Sequence, residues 1–312
     1  QHGRSSRSAL LDAGAASGLA VAAVATHPFG RWQDQQIDRT RPRFRALEES
    51  YQALARQQII CGCHVHVGFD ERDVLFEALR RVRPWLPSLL AISANSPFWQ
   101  GEDTGYASYR TQVWQRWPTA GMPPELRSAD EYEAVVTALV EARAGADESY
   151  LYWDARPSAR YPTLEIRALD TCLDAGDVVT LVGLIRGLLW TCAAAAEAGE
   201  PSPSLRPEVL GAATWRASRY GVSDGLLSPS EGEVVPAEDV LEELLAYARP
   251  GLDEHGDTAA VDAGLRRILA EGSGAEVQRA TWSLRQEDPT AVMAELVAAT
   301  ASSADPDTRT AA

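Results

Sequence analysis

The sequence predicts an α+β fold. Strand-like apolar runs fall early and in the middle of the chain, at residues 19–25, 59–68, 150–154 and 163–168. From Asp174 onward nearly every segment has helical spacing. Strands and helices segregated in this way, without regular βαβ alternation, indicate α+β rather than a doubly wound sheet. No Gly-rich dinucleotide fingerprint follows any of the strands.

Each element has its own signal. Residues 8–16 read as a small-residue helix running into the apolar run 19–25, which ends at the turn Thr26-His27-Pro28. Residues 43–57 place Phe44, Leu47, Tyr51 and Leu54 on one helical face. Residues 59–68 read as a strand. Asp70 suits an N-cap, and Glu71 and Asp73 suit the positive end of the helix that follows. Pro84 and Pro87 break the pattern before a second apolar helix that ends near Ala94. Residues 95–124 form a long aromatic stretch rich in Gly and Pro, holding Trp99, Trp114 and Trp117. Such loops usually carry function, so this one is expected to line a site, with a short helix at 109–117. Residues 129–143 read as an amphipathic helix. Two strands, 150–154 and 163–168, are joined across Arg156-Pro157-Ser158. Helices fill the remainder, with loops at 199–207 and 222–236. Residues 1–302 are expected to form one domain, and 303–312 a disordered tail.

Composition excludes several functions. The 312 residues carry 29 basic and 44 acidic side chains, a net charge of −15. Such a chain lacks the cationic surface that non-specific duplex binding needs, so no nucleic-acid partner is expected. No run of about 18 apolar residues occurs, and the alanine-rich stretches are all broken by Gly, Asp, Glu or Arg, so no membrane-spanning helix is expected. There is no lysine: all 29 basic residues are Arg. That removes Schiff-base chemistry, a Walker A loop and a protein-kinase site. Any bound phosphate must be held by Arg, backbone amides or metal. Cys61, Cys63, Cys172 and Cys192 are few and lie in apolar segments, so no disulfide framework is expected and a reducing cytoplasm is. The sequence opens on Gln1 rather than Met, which predicts a start inside a longer polypeptide or after processing.

Two segments can carry chemistry. In Cys61-Gly62-Cys63-His64-Val65-His66-Val67-Gly68, strand alternation puts His64 and His66 on one face and the cysteines on the other. This argues against one metal held by both residue types. In Thr163-Leu164-Glu165-Ile166-Arg167, Glu165 and Arg167 share a face opposite Leu164 and Ile166. A carboxylate beside a guanidinium can be a structural ion pair, or a metal ligand beside a phosphate clamp. The residues alone leave both readings open. The tryptophans suit core and loop packing better than adenine stacking.

At these positions the sequence resembles a known family. HVHVG, LLAISANSPFWQGEDTGYASYR, WPTAGMPP and YWDARPSARYPTLEIRALD occur in the order found in carboxylate–amine ligases of the type 2 glutamate–cysteine ligase family. WRASRYGV and GDTAAVDAGLRRIL extend the likeness, which covers about residues 8 to 300. That family is similar to glutamine synthetase. The resemblance implies a curved, mainly antiparallel sheet with helices packed outside, and an ATP- and Mg²⁺-dependent reaction through an acyl phosphate. Its substrates would be a glutamate-like carboxylate and an amine such as cysteine, with homo-oligomerisation left open. His64 and Glu165 match metal ligands. His66 looks like either a nucleotide-phosphate contact or a group supporting the metal ligands from behind. Arg156 and Arg167 match arginines that neutralise the transferred phosphoryl group, and Arg110 matches a clamp for a substrate carboxylate.

One departure is large. Family members begin with a strand carrying clustered glutamates, and no Glu-x-Glu strand precedes His64 here. The domain is therefore expected to be N-terminally incomplete. Two alternatives stand beside the ligase. One is a non-catalytic fragment or remnant of the same fold. The other is a His-x-His metal hydrolase, which would need further His and Asp ligands on later strands.

Overall fold

The structure is a computed structural model that describes residues 2–303, with side chains from residue 5. Of the tail expected from 303, everything beyond Ser303 lies outside the described residues. The architecture is α+β, as the order of the sequence patterns predicts. A small antiparallel sheet of three strands lies against a helical body. Its middle strand, Thr163–Ile166, pairs on one side with Val65–Gly68 and on the other with Ala155–Pro157. Short two-residue ladders complete the β content; one of them pairs Tyr152–Trp153 with Ala120–Gly121.

The apolar side of this sheet makes the core. Val65, Ile166, Leu164 and Ala155 are buried against the helix Arg72–Val82 and the central helix Ala175–Glu197. The central helix also packs along Ala237–His255 and Thr258–Glu271. Its crossing with Ala237–His255 is close because glycines face each other. A Cβ on Gly251 would stand 2.1 Å from the Gly187 carbonyl oxygen. Pro250 interrupts the partner helix at this crossing, and Thr191 Oγ1 accepts a hydrogen bond from the Gly251 amide at 3.1 Å. A hydroxyl from the neighbouring helix thus stands in at a proline break. By length and composition the central helix could cross a membrane, contrary to the sequence expectation. The interrupting residues do not lower its mean hydropathy enough. Here most of its apolar side is buried within the chain itself.

Several expected elements differ in extent. Residues 19–25 form no strand: they run extended and touch the sheet region through Ala25, whose carbonyl accepts from Cys61 N at 2.8 Å. The expected strand 59–68 reduces to isolated bridges at Ile60 and Gly62 before Val65–Gly68. The helix expected at 43–57 breaks at Gln52, whose φ is 49°. β-propensity does not decide these cases, because a strand needs a partner for its hydrogen bonds.

Candidate active site

The register of the sheet assembles one polar face. His66 lies opposite Glu165, and Glu165 lies opposite Arg156 on its other side. Beyond this row the ladder bulges: the Asp154 carbonyl accepts from both Arg167 N at 2.7 Å and Ala168 N at 3.1 Å, and Cys63 N donates to the Leu169 carbonyl. One row, His66–Glu165–Arg156, therefore crosses the three strands, and His64, Arg167 and Asp154 gather at its end. Alternation turns the side chains of this row to the face opposite Val65, Ile166 and Ala155, and His64 and Arg167 reach the Glu165 carboxylate on the same face.

Glu165 is the centre of this face. Its Oε1 lies 2.9 Å from His64 Nδ1 and 3.6 Å from His66 Nε2. Its Oε2 accepts from Arg156 Nε at 3.0 Å and faces Arg167 Nη1 at 3.4 Å. Burial raises the carboxyl, but the His64 hydrogen bond and the charges of Arg167 and Arg156 outweigh it and hold Glu165 well below the usual carboxylate range. A carboxylate can only accept, so the network assigns the His64 proton to Nδ1 and leaves the Nε2 lone pair turned away from Glu165. Burial, with Arg167 and Arg110 nearby, lowers the His64 imidazole below its ordinary value despite Glu165. His66 is further fixed by Thr163 Oγ1, 2.9 Å from its Nδ1.

The arginines divide by how fully they are engaged. Arg156 spends Nη1 on the carbonyls of Leu151, Glu148 and Ser149 and Nε on Glu165. It acts as a brace for the Glu165 carboxylate. Arg167 is less satisfied. Its Nε is buried without a partner, its contacts to Glu165 are long, and burial beside Arg156 pushes its pKa down to about 10. It remains a cation at neutral pH, and its guanidinium lies over the Trp114 ring, 5.5 Å from the centroid.

Arg110, the expected substrate clamp, is only 2% exposed. It lies over the other reach of Trp114, and its terminal nitrogens meet the carbonyls of Ala168 and Arg167 and the Asp170 carboxylate. The structure places it behind the polar face, as a charge beneath Arg167. Asp170 ties this layer together. Fully buried, it accepts from the Asn95 amide, Ser96 Oγ and Ser108 Oγ, and so fastens the aromatic segment to the end of the middle strand. Arg110 also needs a glycine opposite it: a Cβ on Gly62 would stand 2.3 Å from its Nη2 and 2.7 Å from its Cζ. Gly62→Ala is therefore expected to lower stability by about 1–3 kcal/mol, the usual cost of overpacking. Urea denaturation measures this, and an unchanged midpoint would mean that Arg110 moves aside freely.

Comparisons with known proteins give the family and the fold. A family model described as glutamate–cysteine ligase family 2 matches residues 1–298. The chain belongs to glutamate–cysteine ligase family 2. Among relatives of this family, the Frankia alni protein named "Putative glutamate--cysteine ligase 2-2" is 46% identical over 279 residues, covering 89% of this chain and 72% of the relative. A Rhodopirellula baltica protein named in the same way, as type 2, is 38% identical over 298 residues, 96% of this chain and 78% of its own length. A glutamate–cysteine ligase from Francisella tularensis, solved in complex with AMP, shares the fold at a TM-score of 0.53 and 12% identity. The match covers 93% of this chain and 78% of that one.

Within the family setting, the metal expectation can be tested on the donors. Among the described residues no group of three or more His, Cys, Asp or Glu side chains is arranged to hold a metal ion. His64 and Glu165 lie together, but both Glu165 oxygens already face protein donors and two guanidiniums stand beside them. Mg²⁺ prefers an octahedron of oxygens. One engaged carboxylate does not make a resident magnesium site. The hydrolase alternative fares no better. His27 Nδ1 accepts from the Phe29 and Gly30 amides, and among the described residues His64, His66 and the engaged Glu165 are not arranged to hold a metal ion. What the face offers instead is positive charge: Arg156 and Arg167 converge on it, with Arg110 behind them, in a chain whose net charge is −15.

Asp154 and Asp170 both stand in the segment YWDARPSARYPTLEIRALD, which by itself gives neither a role. Strand parity with Arg156 was the available signal for Asp154. Nothing local marked Asp170, whose partners lie some 60 to 75 positions earlier in the chain.

Proposed function

We propose that this chain is an ATP-dependent carboxylate–amine ligase that joins a glutamate-like carboxylate to an amine, such as cysteine, through an acyl phosphate. The observation that carries this reading is Arg167: a buried cation with an unpaired Nε, beside a His64 whose Nε2 is open, on one sheet face. Such a pair suits a phosphoryl group, whose transfer needs positioning and charge neutralisation rather than a protein nucleophile. Arg supplies this where no Lys exists. Arg156 and Glu165 then fix the geometry of the pair. In this reading Mg²⁺ arrives with ATP as part of the substrate, its phosphate oxygens providing the ligands that the described side chains do not. The family membership and the AMP complex of the Francisella tularensis enzyme support nucleotide use. The four free thiols support a cytoplasmic setting, which belongs to the same proposal.

The test is product analysis with ATP, Mg²⁺ and glutamate, with and without an amine. ADP and phosphate released only when glutamate is present are expected. Hydroxylamine added as the nucleophile should be captured as a hydroxamate. AMP and pyrophosphate as products would replace the acyl phosphate by an acyl adenylate. Absence of glutamate-dependent nucleotide turnover would remove the ligase reading.

A further inference from the structure

Asp154 is a buried carboxylate on the polar face for which the fold supplies no partner. It is 4% exposed. Its flanking residues Trp153 and Ala155 sit in the main core, while Tyr152 packs with Trp114 and Trp117 on the other side. Alternation therefore turns Asp154 toward Trp114 and the two arginines that lie over it. Its backbone is pinned from both sides: its amide donates to the Gly121 carbonyl at 2.8 Å, and its carbonyl accepts from Arg167 and Ala168. Its carboxylate takes no hydrogen bond from any described residue, and neither Arg110 nor Arg167 closes to ion-pair distance. The charged groups acting on it are those two arginines, with Arg156, Glu165 and His64 further along the same face. Buried carboxylates are normally paired. Asp154 is held rigidly and left unpaired beside Arg167, the candidate phosphoryl cation.

We propose that Asp154 is the base that accepts a proton from the attacking amine. This rests on the acyl-phosphate reading above. An amine enters as an ammonium ion and must lose a proton to become a nucleophile; that proton goes to the Asp154 carboxylate. The nitrogen lone pair then forms the C–N bond to the acyl carbon. The bond from that carbon to the phosphate oxygen breaks, and phosphate leaves with the electron pair. The second nitrogen proton departs with the phosphate, giving a neutral amide. Arg167, on the neighbouring strand and bonded through its amide to the Asp154 carbonyl, is placed to receive the leaving phosphate. Burial, only partly offset by Arg110 and Arg167, raises the Asp154 carboxyl to about 6, a value suited to proton transfer near neutral pH.

The test uses the full chain and its Asp154→Asn variant, with ATP, Mg²⁺, glutamate and two kinds of nucleophile. Hydroxylamine is already largely unprotonated at neutral pH and needs no base. The second is the ionised amine that the parent chain accepts fastest among cysteine, glycine and ammonia. The expected result is a loss of at least about 100-fold with the ionised amine, and a change within about threefold with hydroxylamine. An infrared pH titration gives a readout apart from turnover: a carboxyl band titrating near pH 6 in the parent should vanish in the variant. Equal losses with both nucleophiles would make Asp154 structural and overturn the assignment. No loss with either, or no carboxyl titrating in that range in the parent, would do the same. If the parent forms no hydroxamate, the acyl-phosphate reading itself falls and takes the base with it; a parent that forms hydroxamate beside an unaffected variant rejects the base alone.

Discussion

Glu165→Gln is expected to lose turnover by about 100-fold or more and to unfold about 3 kcal/mol more easily at neutral pH. The carboxylate is 5% exposed and is the one acceptor shared by Arg156, Arg167 and His64. Gln keeps an oxygen for one of them but presents an NH₂ to the others. Two largely buried guanidiniums would then lack their counter-charge, which is why removing one member of such a group costs more than the pair contributes. The pH dependence has a definite sign. Glu165 ionises more easily folded than unfolded, so its stabilisation is complete above the unfolded carboxyl value of about 4.3 and fades as pH falls below it. Urea midpoints of parent and variant should therefore lie far apart at pH 7 and converge in acid. Midpoints that coincide at pH 7, with turnover intact, would contradict the placement of Glu165 at the centre of the face.

The face of this site was legible in the sequence, and its depth was not. Period-two alternation is enough to put His64 with His66 and Glu165 with Arg167, and the structure brings all four together. The pairing of one strand with another is a long-range choice. Thus the row that sets Glu165 between His66 and Arg156 could not be read from either segment alone. Arg110 shows the same limit. Asp170 fastens the segment of Arg110 to the sheet, and the Arg110 side chain runs inward against Gly62 because only a glycine there leaves room. The run 19–25 has strand composition yet finds no ladder, since the edges near it are taken up by single bridges. The central helix passed for an interrupted apolar segment because single Gly, Asp and Arg residues were counted as breaks. Along a buried helix a glycine such as Gly187 is instead the place where another backbone approaches.

Asp154→Asn is expected to make the protein more stable at neutral pH while removing its amine-dependent turnover. The folded environment raises this carboxyl from its ordinary value to about 6, because burial costs more than Arg110 and Arg167 return. A raised carboxyl contributes its stabilisation below the unfolded value of about 3.9 and loses it as pH climbs through the folded one. At pH 7 the ionised Asp154 thus holds the fold back by about 2–3 kcal/mol, from a shift of roughly two pH units at 1.36 kcal/mol each. Asn has nearly the same shape and carries no charge, so it relieves most of that cost. The gain in urea midpoint should be largest above about pH 6 and should vanish below about pH 4, where the parent carboxyl is protonated in both states. A variant that is stabler, folded and yet unable to use an ionised amine is the signature of a residue retained for chemistry against the interest of the fold. If Asp154→Asn is instead less stable at every pH by the same amount, the carboxylate has a hydrogen-bonding role in the folded state, and its lack of a partner is not a functional vacancy.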